Sequence, residues 1–294
     1  MVVLGPGGRP EEGGTVRVRT DLTAVTGLAA LILLLSGAHP ATAAPNIVSL
    51  PRIVSLDECA DQYVLGLVPH DRIAAVSNKA ALPDSYYRDR VRGLRQVRPN
   101  AESVLALKPD IVVRTWGGDA RLIRMLTQNG IRVVTINDVK TFDQARAELH
   151  RVGDAMDADA EAQGEAERFQ TALDDVRPIG LDRTVLYYAL GGFSAGPDTM
   201  IGEMLRKLAF RLESQDKGFF PLSPEVILSL HPDVFALGFF DDVYEMRRAP
   251  GRNPVVRKLI AATPHFALPR RAMLCGGWYS AYDLRVLSHT IAVK

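Results

Sequence analysis

Cysteine is almost missing from this chain: Cys59 and Cys275 are the only two in 294 residues. A disulfide framework is therefore excluded, while a single bridge stays open. An excess of either charge is missing as well. Lys and Arg total 35 against 34 Asp and Glu, and no basic stripe is concentrated enough to suggest nucleic acid. The six His residues, among them His70, His150, His231, His265 and His289, show no H-x-x-E-H or i, i+4 pairing. A bare-metal site is not expected, and no metal ligands are assigned. No P-loop and no G-x-G-x-x-G lies where a strand leads into a helix, so no cofactor is expected either. One spacing looks catalytic. Gly192-Phe-Ser-Ala-Gly196 follows a strand-like run and matches the G-x-S-x-G nucleophile elbow. An elbow needs a helix to start at the Ser, and Gly196-Pro197-Asp198 breaks one. A serine hydrolase using Ser194 is the alternative reading; the chain is not expected to be an enzyme.

What is present is enough sequence for two α/β lobes, with 47% hydrophobic and 23% charged residues, as in soluble globular proteins. The N-terminus reads as a targeting signal. Arg17 and Arg19 precede an apolar run from Leu22 to Leu35, and Ala41-Thr-Ala-Ala44 follows. That is a basic region, an apolar region and an A-x-A site, with cleavage expected after Ala43. The competing reading is a membrane anchor, but the run is shorter than the ~20 residues a spanning helix needs.

The rest is organised around a helical stretch from about Phe142 to Val176, flanked by two similar segments. Glu102-Ser-Val-Leu-Ala-Leu-Lys-Pro-Asp-Ile-Val112 stands before it and Glu225-Val-Ile-Leu-Ser-Leu-His-Pro-Asp-Val-Phe235 after it. In each, Pro-Asp stops a short helix ahead of a β-type run. Before the stretch, strands are expected at 52–56, 72–76, 111–113 and 131–136, with Ile47-Val-Ser-Leu50 a near copy of the first. Asp57 is the expected cap of a helix through Leu67, and 119–129 reads as another helix. Apolar steps of three and four give two connector helices, with Gly153 at the bend. After it, strands are expected at 184–190, 234–237 and 272–274, a Gly-rich turn at 191–199, and helices at 201–208, 253–261 and 280–293. Such alternation argues for mostly parallel sheets covered by helices. The expected divisions are a signal peptide at 1–43, a lobe at 44–141, a helical connector at 142–177 and a second lobe at 178–294.

The order of Arg52-Ile-Val-Ser-Leu56, Glu102 to Ile111, Asn129-Gly-Ile131, the connector, Ala195-Gly-Pro197 and Glu225 to Val234 resembles a known family. These are the periplasmic substrate-binding proteins of ABC importers for vitamin B12, iron–siderophores and haem. The resemblance implies an α/β fold of two similar lobes joined by a long helix, as in class III periplasmic binding proteins. It implies capture of a metal chelate (cobalamin, a ferric siderophore or haem) by a periplasmic, monomeric chain, and delivery to an ABC permease. By motif position Glu102 and Glu225 would dock on that permease. Each is also a helix N-terminal Glu favoured by the dipole.

The ligand is expected between the lobes, where loops leave the carboxyl ends of the strands. The candidates are Asp57, Cys59, Tyr86, Tyr87, Arg114 and Trp116 from the first lobe. From the second they are Tyr188, Phe193, Phe220, Phe240, Trp278 and Tyr279. Aromatic side chains supply broad contact at low entropy cost. Cys59 and Cys275, one per lobe, are expected to face the cleft, either bonded or as thiols touching the ligand or its metal. A sensory or structural module with a degenerate cleft is a further alternative.

Overall fold

The structure, a computed structural model, describes residues 50–115, 117–241 and 249–291. The expected signal peptide, most of the 47–50 segment and Trp116 lie outside the described residues.

The first half alternates strand and helix as β1 (Ile53–Ser55), α1 (Glu58–Leu67), β2 (Ile73–Ser77), β3 (Gln96–Val97), α2 (Ala101–Leu105), β4 (Ile111–Thr115), α3 (Ala120–Gln128) and β5 (Arg132–Ile136). The strands pair in parallel in the order β3-β2-β1-β4-β5. The connector is α4 (Phe142–Ala155) and α5 (Asp159–Asp174). The second half runs β6 (Thr184–Ala189), β7 (Phe193–Ala195), α6 (Met200–Lys207), β8 (Arg211–Leu212), β9 (Phe219–Pro221), α7 (Pro224–Ser229), β10 (Val234–Gly238), α8 (Pro254–Ala262), β11 (His265–Ala267), α9 (Arg270–Leu274) and α10 (Ser280–Thr290). Its main sheet is parallel in the order β11-β10-β6-β8, and β7 and β9 form a separate antiparallel ribbon. Both sheets belong to one compact unit.

Each sheet is buried on both faces, as parallel sheets require. Along β1, Ile53 joins the large core shared by both halves, while Val54 turns to a smaller cluster under α2 and α3. In the second half Val185 and Tyr187 face the shared core, and Leu186 and Tyr188 face a cluster under α7 and α8. The alternation is the period of two of a strand.

Local chemistry sets the joints. Asp57 caps α1 by accepting from the Ala60 N–H at 2.9 Å, and its second oxygen accepts from the Thr115 N–H at 2.8 Å. One carboxylate thus fixes a helix start and the end of β4. The connector bends at Met156–Ala158, not at Gly153. The Ala158 N–H donates to the Gly153 carbonyl, the Asp157 N–H to that of Asp154, and Asp157 takes φ 51°. That is a Schellman stop. Gly153 serves packing: a Cβ there would lie 2.5 Å from that of Ala162 on α5. Arg72, ahead of β2, holds the bend by donating to the Met156 and Asp157 carbonyls at 2.5 and 2.9 Å.

Two short elements differ from expectation. Residues 272–274 belong to helix α9, because Pro269 precedes a run of strong helix formers. The last strand is instead β11, where only Phe266 of three residues points inward. Past it the chain leaves the second sheet and returns to the first half. Arg270 pairs with Asp84 through two 2.9 Å contacts, Trp278 meets Tyr63 edge-on at 4.7 Å, and Tyr279 stacks on Tyr86 at 5.6 Å. A Cβ on Gly66 would lie 2.9 Å from the Trp278 ring.

The return is anchored on Glu165 of α5, which is 3% exposed. Its Oε1 accepts from the Tyr87 hydroxyl at 2.9 Å, the Trp278 indole N–H at 2.9 Å and the Tyr282 hydroxyl at 2.7 Å, while Arg168 holds Oε2. Burial opposes ionisation, but the donors from Tyr282, Trp278, Arg168 and Tyr87 outweigh it and hold the carboxyl below the usual glutamate range. The sign follows: stability from this group is present above the ordinary glutamate value and is lost as pH falls through the lower folded value. Glu165→Ala orphans three buried donors and is expected to cost about 3 kcal/mol in urea unfolding. Glu165→Gln should flatten the loss of stability below about pH 4. An unchanged acid slope would show that the carboxylate is not the anchor.

Candidate functional site

At the carboxyl ends of β4 and β5 the chain turns through Thr115 and through Asn137–Lys140. Facing these turns are the start of α6, the β7–β9 ribbon and the strap from α9 to Gly276. Two cavities fill the space between, of about 290 and 270 Å³, and they share Asp138, Leu274 and Gly276 as walls. Each is near the lower end of small-molecule sites; being contiguous, they offer more. The first has an apolar wall of Met200, Ile201, Phe219 and Met273, with Asp198 and Lys140 at its edge. Lys140 and Asp198 approach to 3.9 Å across the gap. The Gly218 N–H, donating to Asp198 at 2.6 Å, holds that carboxyl below the usual range. The second cavity is lined by Thr115, Asn137, Tyr63 and the two cysteines. The Tyr63 hydroxyl is buried without a hydrogen-bond partner among the described residues, and burial pushes its pKa up, so it stays neutral.

Cys59 and Cys275 are joined, with Cα atoms 5.5 Å apart. The bond bridges the first turn of α1 and the strap after α9, so Cys275 follows a helix and not a strand. Both residues line the cavity, but as a disulfide neither offers a thiol to a ligand or metal. Among the described residues no three His, Cys, Asp or Glu side chains are grouped to hold a metal ion.

The other expected site residues separate into three groups. Asp57 and Arg114 line a third cavity of about 330 Å³ beside the start of α3. Phe193 is 48% exposed on the ribbon, and Phe220 and Phe240 are half-buried against the α7–α8 cluster. Tyr87, Tyr188, Trp278 and Tyr279 are core, with exposures of 8, 0, 0 and 1%. Their rings are committed to each other, to Tyr63 and to Phe240, so they do not face a ligand in this conformation. Tyr86 is half-buried between Tyr279 and the Arg271 guanidinium, 4.8 Å above its ring. Sequence reasoning missed Asp138, Lys140, Asp198, Met200 and Met273. Asp138 and Lys140 carried a signal, since they directly follow β5, as ligand-binding loops do in open α/β sheets.

Ser194 is 1% exposed, and its hydroxyl donates to the Tyr187 carbonyl at 2.7 Å. It sits within β7 with no helix starting at it, so it is not an elbow nucleophile and the hydrolase reading falls. Glu102 and Glu225 occupy matching places, each exposed in the first turn of a short helix. The helices are capped by Asn100 and Ser223.

The sequence profile of the periplasmic binding proteins matches residues 53–238. A substrate-binding lipoprotein of an ABC transporter from Bacillus subtilis, YvrC, is 26% identical over 184 residues, covering 58% of this chain and 57% of its own. A cobalamin-binding protein of Halobacterium salinarum is 29% identical over 201 residues, covering 65% of this chain and 54% of its own. The chain thus spans just over half the length of these curated relatives. Among solved structures, the periplasmic haem-binding protein HutB of Vibrio cholerae superposes with a TM-score of 0.66 at 22% identity, covering 82% of this chain and 98% of that one. At that identity the likeness speaks for the fold.

The disulfide closes a span of 216 residues. Replacing both cysteines by Ser is expected to cost about 3–5 kcal/mol of stability. Intact mass with and without reduction checks the premise: two thiols free before reduction would rule the bond out.

Proposed function

The chain belongs to the periplasmic binding protein family, and on that premise we propose that it is the extracytoplasmic solute-binding protein of an ABC importer. Its ligand is a metal chelate: cobalamin, a ferric siderophore or haem. The observation that carries this reading is the contiguous cavity walled by both halves of the chain, with apolar surface on one side and isolated charges at its edge. Large chelates need broad apolar contact and a few orienting polar groups, and the walls supply both kinds. The names of the relatives support the same class of ligand. No covalent step is part of this reading. Asp57, Arg114 and Phe193 border the cavities and the ribbon and contact the larger ligands at their periphery.

The chain works as an exported monomer, with the signal cleaved after Ala43. It delivers its ligand by docking Glu102 and Glu225 on the two halves of a membrane permease. Two exposed carboxylates at equivalent places suit a two-fold-related partner.

Titration with cyanocobalamin, haemin and ferric hydroxamates, followed by intrinsic fluorescence and thermal shift, tests the ligand class. At a hundred times Kd a bound chelate stabilises by about 2.7 kcal/mol. Ser194→Ala should bind as the wild type does, and failure of all three chelates would overturn the proposal. The double variant Glu102→Ala/Glu225→Ala should keep ligand affinity while transport with the cognate permease drops at least about tenfold, about 1.4 kcal/mol in coupling. With the disulfide and Glu165 tying the C-terminal return to the first half, saturating ligand should leave small-angle scattering nearly unchanged. A large compaction would contradict it.

A further inference from the structure

The overall charge of +1 conceals a local excess. Residues 88–98 hold Arg88, Arg90, Arg92, Arg95 and Arg98 against Asp89 alone, a net +4, so the rest of the chain is net negative. All five arginines are exposed. They lead into and flank β3, the edge strand of the first sheet, so the structure sets this short run along one sheet edge. Among the described residues Arg88 meets only the neighbouring Asp89, at 3.9 Å. Arg90 is pinned, donating to the Leu65 and Gly66 carbonyls and lying 4.9 Å over the Tyr87 ring. The Arg92, Arg95 and Arg98 guanidinium groups have no partner among the described residues.

Beside this strip, at the end of α1, is a cavity of about 440 Å³. Leu65, Val68 and Ile73 form its apolar floor, and His70, Asp89 and Arg92 its rim. It opens at the amino ends of β2 and β3, away from the ligand cavities at the carboxyl ends. Protection of a sheet edge from unwanted pairing is a common use of charge. Here β3 is two residues long, too short to template pairing, and five guanidinium groups exceed that need.

We propose that the 88–98 edge is a docking surface for an anionic phospholipid bilayer, with lipid phosphates on Arg92, Arg95 and Arg98 and the glycerol region against the apolar floor. Three unpaired guanidinium groups match phosphate geometry. A basic side chain near an anionic membrane contributes about 1 kcal/mol, roughly fivefold in affinity. Nucleic acid fits less well, because single-strand sites add exposed aromatic rings for stacking. The rings here, Tyr86 and Tyr87, are packed inward. The surface orients the first half against the membrane independently of what the cleft binds.

The test is co-sedimentation of the full chain with vesicles of phosphatidylcholine alone and of phosphatidylcholine with phosphatidylglycerol. The triple variant Arg92→Gln/Arg95→Gln/Arg98→Gln is run beside it, and circular dichroism confirms its fold. Both proteins carry the same N-terminal apolar run, so only the dependence on lipid charge is compared. The expected result is a preference of the wild type for the anionic vesicles that falls about 100-fold in the variant. The wild-type preference should also vanish at 1 M salt, where the screening length is about 3 Å. Equal binding to both vesicles, an unchanged preference in the variant, or a preference insensitive to salt would each overturn the proposal. So would binding to heparin or an acidic peptide without any vesicle preference.

Discussion

A single buried carboxylate holds this molecule's separate parts in one arrangement. Glu165 lies on the connector, yet the donors it needs come from the first half, through Tyr87, and from the C-terminal return, through Trp278 and Tyr282. A carboxylate stripped of water costs several kcal/mol unless its lone pairs are satisfied. All three donors must therefore be in place together, and segments more than a hundred residues apart become parts of one decision. Arg168, one turn along α5, completes the neutralisation.

The same return shapes the cleft. To reach Glu165 the chain passes from α9 through Cys275 and Gly276, and that strap becomes the wall shared by the two contiguous cavities. The disulfide fixes the strap to α1 at the point where β1 hands over to the helix. The Arg270–Asp84 pair fixes it again on the other side. The surface of these cavities is consequently a mix of backbone turns, Met and Phe side chains and a few charges. The bulky aromatics Tyr63, Tyr87, Trp278 and Tyr279 are spent in the shared core.

Fold and role separate here in a familiar way. The profile match and the superposition on HutB speak for architecture, and the architecture places a cleft between two sheets. What the cleft accepts depends on its side chains, not on the fold. The arginine edge is remote from the cleft and built on a two-residue strand.

Read alone, the sequence determined what nearby residues decide. Alternation and Pro-Asp stops located β1, β2, β4, β5, β6 and β10, and steps of three and four located α4 and α5. Asp57 announced the start of α1, and composition alone limited the cysteines to one bridge. These features depend on neighbours within about four positions, where hydrogen bonds and side-chain periodicity act. Burial does not. Trp278 and Phe219 are both aromatic residues that directly follow a glycine, yet one is 0% and the other 63% exposed. The difference is that Trp278 meets Tyr63 and Glu165, which lie 215 and 113 positions earlier in the chain. Ser194 matched a catalytic spacing and was closed off by a carbonyl seven residues back, across a strand turn. Whether a side chain faces a cavity, the core or solvent was settled by where the chain returned, because only that return decides which surfaces lose their water.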